Sequence, residues 1–209
     1  MPPRPRRSSP KNLARASGPR TRLDVEQRRA QLLALGLQLF ADRSYDEISI
    51  DELASAAGIS KGLLYHYFSS KRDFYIACVR MAADRLVDCT KMPETLDPLE
   101  QLRRGLEAYL DFVEEHGRSY AAVFRAGIGT DEEVAAIIDD TRATILQRLV
   151  EGLGTDAVEP PVRSALRGWL GYVEAVILDW VEFHDVEREQ LIANMIRVME
   201  AALASSASE

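Results

Sequence analysis

The chain has little of what staples, ligates or anchors a protein. Its 209 residues include 2 Cys and 3 His. Cys78 and Cys89 fall in one helical stretch, where the intervening rise puts about 16 Å between them. A disulfide needs Cα atoms within ~7 Å, so two unpaired thiols in a reducing compartment are expected. His66, His116 and His184 lie in three different segments without metal-ligand spacing, which leaves no metal and no cofactor to expect. No P-loop or GxGxxG is present. The scattered Asp and Glu mostly stand beside Lys or Arg on helix faces, where solvation accounts for them. The chain is therefore not expected to be an enzyme. No apolar run approaches the ~20 residues of a membrane span, and the Pro/Arg-rich N-terminus lacks the apolar core of a secretory signal. A soluble cytoplasmic protein is expected, without a membrane partner. Aromatic residues make up 7% and no alternating β-type segment appears, so the fold class is all-α.

Acid outweighs base, 33 Asp and Glu against 26 Lys and Arg, for a net charge of −7. The distribution says more than the total. Residues 1–22 carry +7, residues 23–71 carry −2, and residues 72–209 carry −12. A basic end on an acidic body orients a molecule on a polyanion. Residues 1–22 are rich in Pro, Ser, Gly and Arg and cannot bury enough apolar surface to fold alone. They read as a disordered basic arm reaching phosphates or the minor groove, or as a solvated leader with no role.

The stretch Ser49–Lys71, SIDELASAAGISKGLLYHYFSSK, organises the rest. Ile50, Leu53, Ala54 and Ala57 recur at helical spacing. Ser49 and Glu52 form a capping box ahead of that face. Gly58 stops the helix, because glycine takes the left-handed turn without steric cost. Ser60 is an N-cap for a second helix, to which Leu63, Leu64, Tyr67 and Phe68 supply apolar contacts. This is the pattern of a helix-turn-helix, whose second helix lies in the DNA major groove. Residues 60–68 contain no carboxylate, and Ser60, Lys61, Tyr65 and His66 are all donors. Gly62 would let the backbone approach DNA closely.

Ala-Gly-Ile-Ser-Lys-Gly-Leu-Leu-Tyr-His-Tyr-Phe-Ser-Ser-Lys (57–71) resembles the helix-turn-helix signature of TetR-type (tetracycline-repressor-like) transcriptional regulators. With the preceding helix the resemblance covers residues 25–80. The chain departs from it at Ser44, where Gly is usual, at Ile48, where Thr is usual, and at Arg72, where an acid is usual. The resemblance implies that Ser49 meets DNA phosphate, and that a helical domain for ligand binding and dimerisation follows. The DNA-binding set is then Ser49, Ser60, Lys61, Gly62, Leu63, Tyr65, His66, Tyr67 and Lys71.

In chain order, three parts are expected: an arm (1–22), a three-helix DNA-binding domain (23–69) and a helical effector-binding and dimerisation domain (70–209). The first helix should run from Asp24 to Arg43 with Leu33, Leu37 and Phe40 as its stripe, and Tyr45 and Ile48 should plug the connection. A connecting helix should begin at Ser70 and end near Thr90, before Pro93. Asp97 and Pro98 open a helix over 98–116, with Leu99, Leu102, Leu106, Tyr109, Leu110 and Val113 buried and Gly117 as its stop. A short helix over 118–126, a break at Gly127-Ile128-Gly129, and a Thr130/Glu133 capping box come next. The helix so capped should end near Glu151, before Gly152 and Gly154. Pro160 and Pro161 open a helix to His184, and Asp185 another to about Ala204, before a frayed tail.

The helix over 162–183 is apolar around much of its circumference, through Leu166, Trp169, Leu170, Tyr172, Val173, Val176, Ile177, Trp180 and Phe183. Such a helix is buried on more than one side. The last helix carries a narrower stripe of Leu191, Met195, Val198 and Met199. The resemblance implies that helices 162–183 and 185–204 pair across a two-fold axis into a homodimer; a monomeric core is the alternative. Tyr109, Phe112, His116, Phe124, Trp169 and Tyr172 are candidates for a mostly apolar small-molecule site, though each alone is commonly a packed core residue. The chain thus reads as a repressor released from a palindromic double-stranded operator by an unidentified small-molecule effector. A dimeric regulator without an effector, and a helical interaction protein that has lost DNA binding, are the alternatives. Lys61, Tyr65, His66 and Lys71 speak against the last.

Overall fold

A computed structural model describes residues 19–43, 45–126, 131–154 and 159–206, the side chains of 19–24, 41–42 and 117–126 excepted. Among the described residues there are eight α-helices, one 3-10 turn and no strand. The helices are α1 (Pro19–Asp42), α2 (Ile50–Ala56), α3 (Lys61–Tyr67), α4 (Lys71–Cys89), α5 (Pro98–Ala126), α6 (Glu132–Gly152), α7 (Pro160–Phe183) and α8 (Arg188–Ser206), and the turn is Tyr45–Glu47.

Several expected boundaries move. Helix α1 starts at Pro19 instead of Asp24. Proline suits the first helical position, and no Gly or Pro follows until Gly36. Residues 19–22 of the expected arm are therefore helical, while 1–18 lie outside the described residues, as does Ser44. Helix α5 continues through Gly117, which was expected to stop it, so 98–116 and 118–126 form one helix. An interior glycine costs about 1 kcal/mol of helix propensity, too little to end a helix whose next turn is free of breakers. The break at 127–129 and Thr130 lie outside the described residues. Asp131, rather than Thr130, caps α6, accepting from the backbone N–H of Glu133 (3.0 Å) and Val134 (3.3 Å). His184 ends α7 in the left-handed region (φ 49°), which delays α8 from Asp185 to Arg188.

Three apolar clusters hold the molecule. The first gathers Leu32, Leu33, Leu37 and Phe40 of α1, Ile48, Leu53 and Ala54, Leu64 and Phe68, and then Phe74 and Cys78 of α4. The second joins Ile76 and Val79 of α4 to Val134, Ile137 and Ile138 of α6. The third is the large core of α5, α7 and α8, which also takes in Leu86. Leu191, Ile192, Met195, Ile196 and Met199 form the buried face of α8, while Val198 points outward. Leu99, at the first turn of α5, is also exposed.

Helix α4 contributes to all three clusters, presenting Phe74 and Cys78 to one, Ile76 and Val79 to the next, and Leu86 to the third. It runs parallel to α6 and is tied to it at both ends. Arg72 at the start of α4 grips Asp131 through Nε and Nη2 (both 2.8 Å) and Glu133 through Nη1 (3.3 Å). At the other end Arg148 donates to the Val87 carbonyl (2.5 Å) and Thr90 Oγ1 (3.5 Å). Arg142 on α6 makes a two-pronged pair with the nearly buried Glu174 of α7 (Nε–Oε1 2.9 Å, Nη2–Oε2 2.8 Å). A buried carboxylate needs such a partner.

Candidate nucleic-acid interface

The helix pair is built by its own caps. Ser49 Oγ accepts from the Glu52 N–H (3.2 Å) while Glu52 Oε2 accepts from the Ser49 N–H (2.7 Å), completing the expected capping box. Arg43 adds a hydrogen bond to Glu52 (3.0 Å). The Ser49 backbone N–H and then the Arg43 guanidinium bring the Glu52 carboxyl down to about 2. Gly58 makes the turn at φ 63°, and Ser60 Oγ accepts from the Leu63 N–H (3.2 Å) to cap α3.

Helix α3 turns Leu64 inward (1% exposed), with Tyr67 half-buried and Phe68 buried just beyond its end. Leu63 was expected among the apolar contacts, but it stands 40% exposed beside Tyr65 at 43%. Three residues of Leu-Leu-Tyr cannot share one face of a helix. The outward face of α3 is therefore Lys61, Gly62, Leu63, Tyr65 and His66. The His66 ring stands edge-on to Tyr67, 5.6 Å between centroids. A Cβ on Gly62 would meet nothing within 4 Å. Internal packing gives no reason for glycine there.

Lys61 is not free. Its Nζ lies 2.9 Å from Asp51 Oδ2 in the first turn of α2, a hydrogen bond that raises the lysine pKa. Lys71 opens α4 with its ammonium 4.0 Å from the centre of the Tyr45 ring, where the ring quadrupole holds it. Asp51 is absent from the sequence-derived set. A ten-residue spacing across a turn is not a helix-face spacing, so only the crossing of α2 and α3 reveals the pair.

In the body, Tyr109, Phe112 and Trp169 are buried in the large core and Tyr172 packs half-buried against it. His116 joins through Phe112, its ring stacked on the phenyl at 4.7 Å and its Nδ1 2.9 Å from the Phe112 carbonyl. Trp169 Nε1 donates to the Met195 carbonyl (2.7 Å). The side chain of Phe124 lies outside the described residues. Among the described residues no three or more His, Cys, Asp or Glu gather to hold a metal. Neither is any helix among them long and apolar enough to cross a membrane.

Two family models match the chain: "Bacterial regulatory proteins, tetR family" over residues 32–78 and "Tetracyclin repressor-like, C-terminal domain" over 98–202. Its relatives include the HTH-type transcriptional activator FasR of Mycolicibacterium smegmatis, 38% identical over 55% of this chain and 53% of that one. The transcriptional regulator AcuR of Cereibacter sphaeroides is 31% identical over 70% of this chain and 63% of that one. The chain thus spans between about half and just under two thirds of these curated relatives. Among solved structures it is similar to a tetR-family transcriptional regulator from Streptomyces coelicolor. That match has TM-score 0.77 and 36% identity, over 88% of this chain and 83% of that one. A TetR-like transcriptional regulator from Rhodococcus sp. RHA1 matches at TM-score 0.72 and 27% identity, over 85% and 96%. The cap-built helix pair and the helical body are those of one family: the chain belongs to the tetR family of bacterial regulatory proteins.

Proposed function

We propose that the chain is a dimeric DNA-binding transcriptional regulator, a repressor that acts in the cytoplasm on a palindromic operator. The observation that carries this reading is the outward face of α3: donors, an unobstructed glycine and no carboxylate, flanked by Ser49 and Lys71. Residues 23–69 form the DNA-reading domain and 70–209 the effector and dimerisation domain. Lys71 and Tyr67 meet phosphate; Lys61, Tyr65 and His66 meet bases or phosphate. Dimerisation through α7 and α8 places two α3 helices on half-sites about one DNA turn, ~34–36 Å, apart. The outer side of α7 offers Gly168, Gly171 and Ala175, and α8 offers Val198 and Ala201, all exposed in one protomer.

A small, mostly apolar ligand held near Tyr109, Phe112, His116, Phe124, Trp169 and Tyr172 would release the DNA by favouring one dimer conformation. Coupling of ~1–3 kcal/mol loosens the complex about 5- to 150-fold. The second reading, a dimeric regulator with no effector, is favoured by the committed state of the polar atoms there. Trp169 Nε1 is already spent on Met195, and His116 Nδ1 on Phe112. The test of DNA binding is Lys71→Ala. It should weaken binding to all duplexes about equally and flatten the salt dependence by about one unit. Unchanged affinity and salt slope would take Lys71 out of the footprint.

A further inference from the structure

Lys61 is the one residue of α3 with a fixed positive charge, and in the free protein its charge is already spent. Asp51 and Lys61 sit in the first turns of α2 and α3, joined at 2.9 Å, with side chains 69% and 47% exposed. Asp51 is also two positions from Ser49, so a carboxylate stands on the face read above as the DNA side. Neither residue is needed to hold the helices together. The buried contacts come from Leu53, Ala54 and Leu64, and the caps come from Ser49 and Ser60. Among the described residues the Asp51 carboxylate has its hydrogen bond and its ion pair with Lys61.

Resting on the DNA-binding reading, we propose that Asp51 is a specificity-setting positioning residue: it occupies Lys61 as a built-in substitute for phosphate, so that arbitrary DNA gains little from this lysine. Non-specific binding is driven by release of counterions as cations neutralise phosphates. A lysine that must leave a carboxylate to reach a phosphate exchanges one anion for another. An exposed ion pair shifts an equilibrium by at most about fivefold. A well-placed contact to a base edge is worth about 5- to 150-fold. The pair therefore yields to the correct base and not to a passing phosphate. Removing the carboxylate should free Lys61 for any sequence, and the gain should be largest where base contacts are absent.

The test compares the full-length wild type with Asp51→Asn, Lys61→Met and the double variant. Two probes are used: a pool of random-sequence duplexes, and the duplex that wild type recovers from that pool by repeated selection. Affinities are read by fluorescence anisotropy over a range of salt concentrations. Asp51→Asn should bind the pool up to about fivefold more tightly per protomer at low salt, with a dependence on log salt steeper by about 0.9 per protomer. The selected duplex should gain less, so the ratio of selected to pool affinity falls. In the Lys61→Met background the substitution at Asp51 should gain nothing, which separates an effect routed through the lysine from a general loss of negative charge. Equal pool binding by wild type and Asp51→Asn overturns the proposal. So does a gain that survives in the double variant, or a loss of pool affinity. Wild type that binds neither the pool nor any selected duplex overturns the DNA-binding reading itself.

Discussion

Two glycines stand in opposite surroundings, one packed tightly and one open. A Cβ on Gly36 would lie 2.5 Å from Phe74 Cζ and 2.6 Å from Cys78 Sγ. Phe74 cannot swing away, because it is wedged between Phe68 (4.7 Å between centroids) and Phe40 (6.1 Å). Overpacking of this kind costs about 1–3 kcal/mol, against up to ~1 kcal/mol gained in helix propensity. Gly36→Ala should therefore destabilise the protein, and a thermal melt should show a midpoint lower by a few degrees, at about 2–4 °C per kcal/mol. Gly62→Ala meets nothing. It should melt at or above the wild-type temperature yet bind DNA about tenfold more weakly, the scale of one lost base contact. Equal DNA affinity would remove the close approach from the interface. Cys78 is buried, its thiol aimed at the Leu33 carbonyl (3.5 Å), and burial raises its pKa beyond the usual thiol range. Cys89 is only partly buried. An alkylating reagent under native conditions should modify Cys89 first.

At the scale of the element, α4 ties the helix-turn-helix domain to the body. Its first turn holds Lys71 over Tyr45 and, one residue later, Arg72 against Asp131 and Glu133 of α6. Arg72 replaces the acid usual in TetR-type sequences, and two carboxylates on α6 receive it. Asp131 has two duties, capping α6 and holding Arg72, and its pKa is lowered chiefly by the Arg72 hydrogen bond. A depressed carboxyl adds stability above its unfolded pKa of about 3.9, and that stability is lost as pH falls through the lower folded value. Wild type should thus melt above Arg72→Ala by a small margin that is constant from about pH 5 to 8 and closes below about pH 4. A margin that persisted in acid would show that Arg72 acts through packing rather than charge.

At the scale of the molecule, the chain leaves apolar side chains uncovered on its last two helices. Val198 is 37% exposed and Phe183 60%. Because Val198 is exposed and lies outside the buried clusters, Val198→Asp should leave the helical content intact and, on the proposed dimer, yield a monomer by sedimentation. DNA affinity should then drop steeply, since each α3 would bind a single half-site. A variant that sediments as wild type does would move the interface elsewhere. The proposed ligand switch carries a reciprocal requirement: DNA would have to weaken effector binding by the factor through which effector weakens DNA binding.

Local chemistry was written openly along the chain. Caps at Ser49, Ser60 and Asp97, the turn at Gly58 and the apolar spacing of the helix pair all act within a few residues. They are therefore readable in order, and so was the family resemblance over 57–71. Helix ends without a strong stop were not. Gly117 lies inside α5 and Asp24 inside α1, because a weak local penalty yields to the helix around it. The charge pairs are the clearest case of what folding alone decides. Arg72 and Asp131 lie 59 positions apart, Arg142 and Glu174 32, and Asp51 and Lys61 10. Each of these side chains looks like a solvated surface charge in one dimension. Only the crossing of helices brings opposite charges within ~3 Å, where Coulomb attraction depends on a distance that no linear spacing encodes.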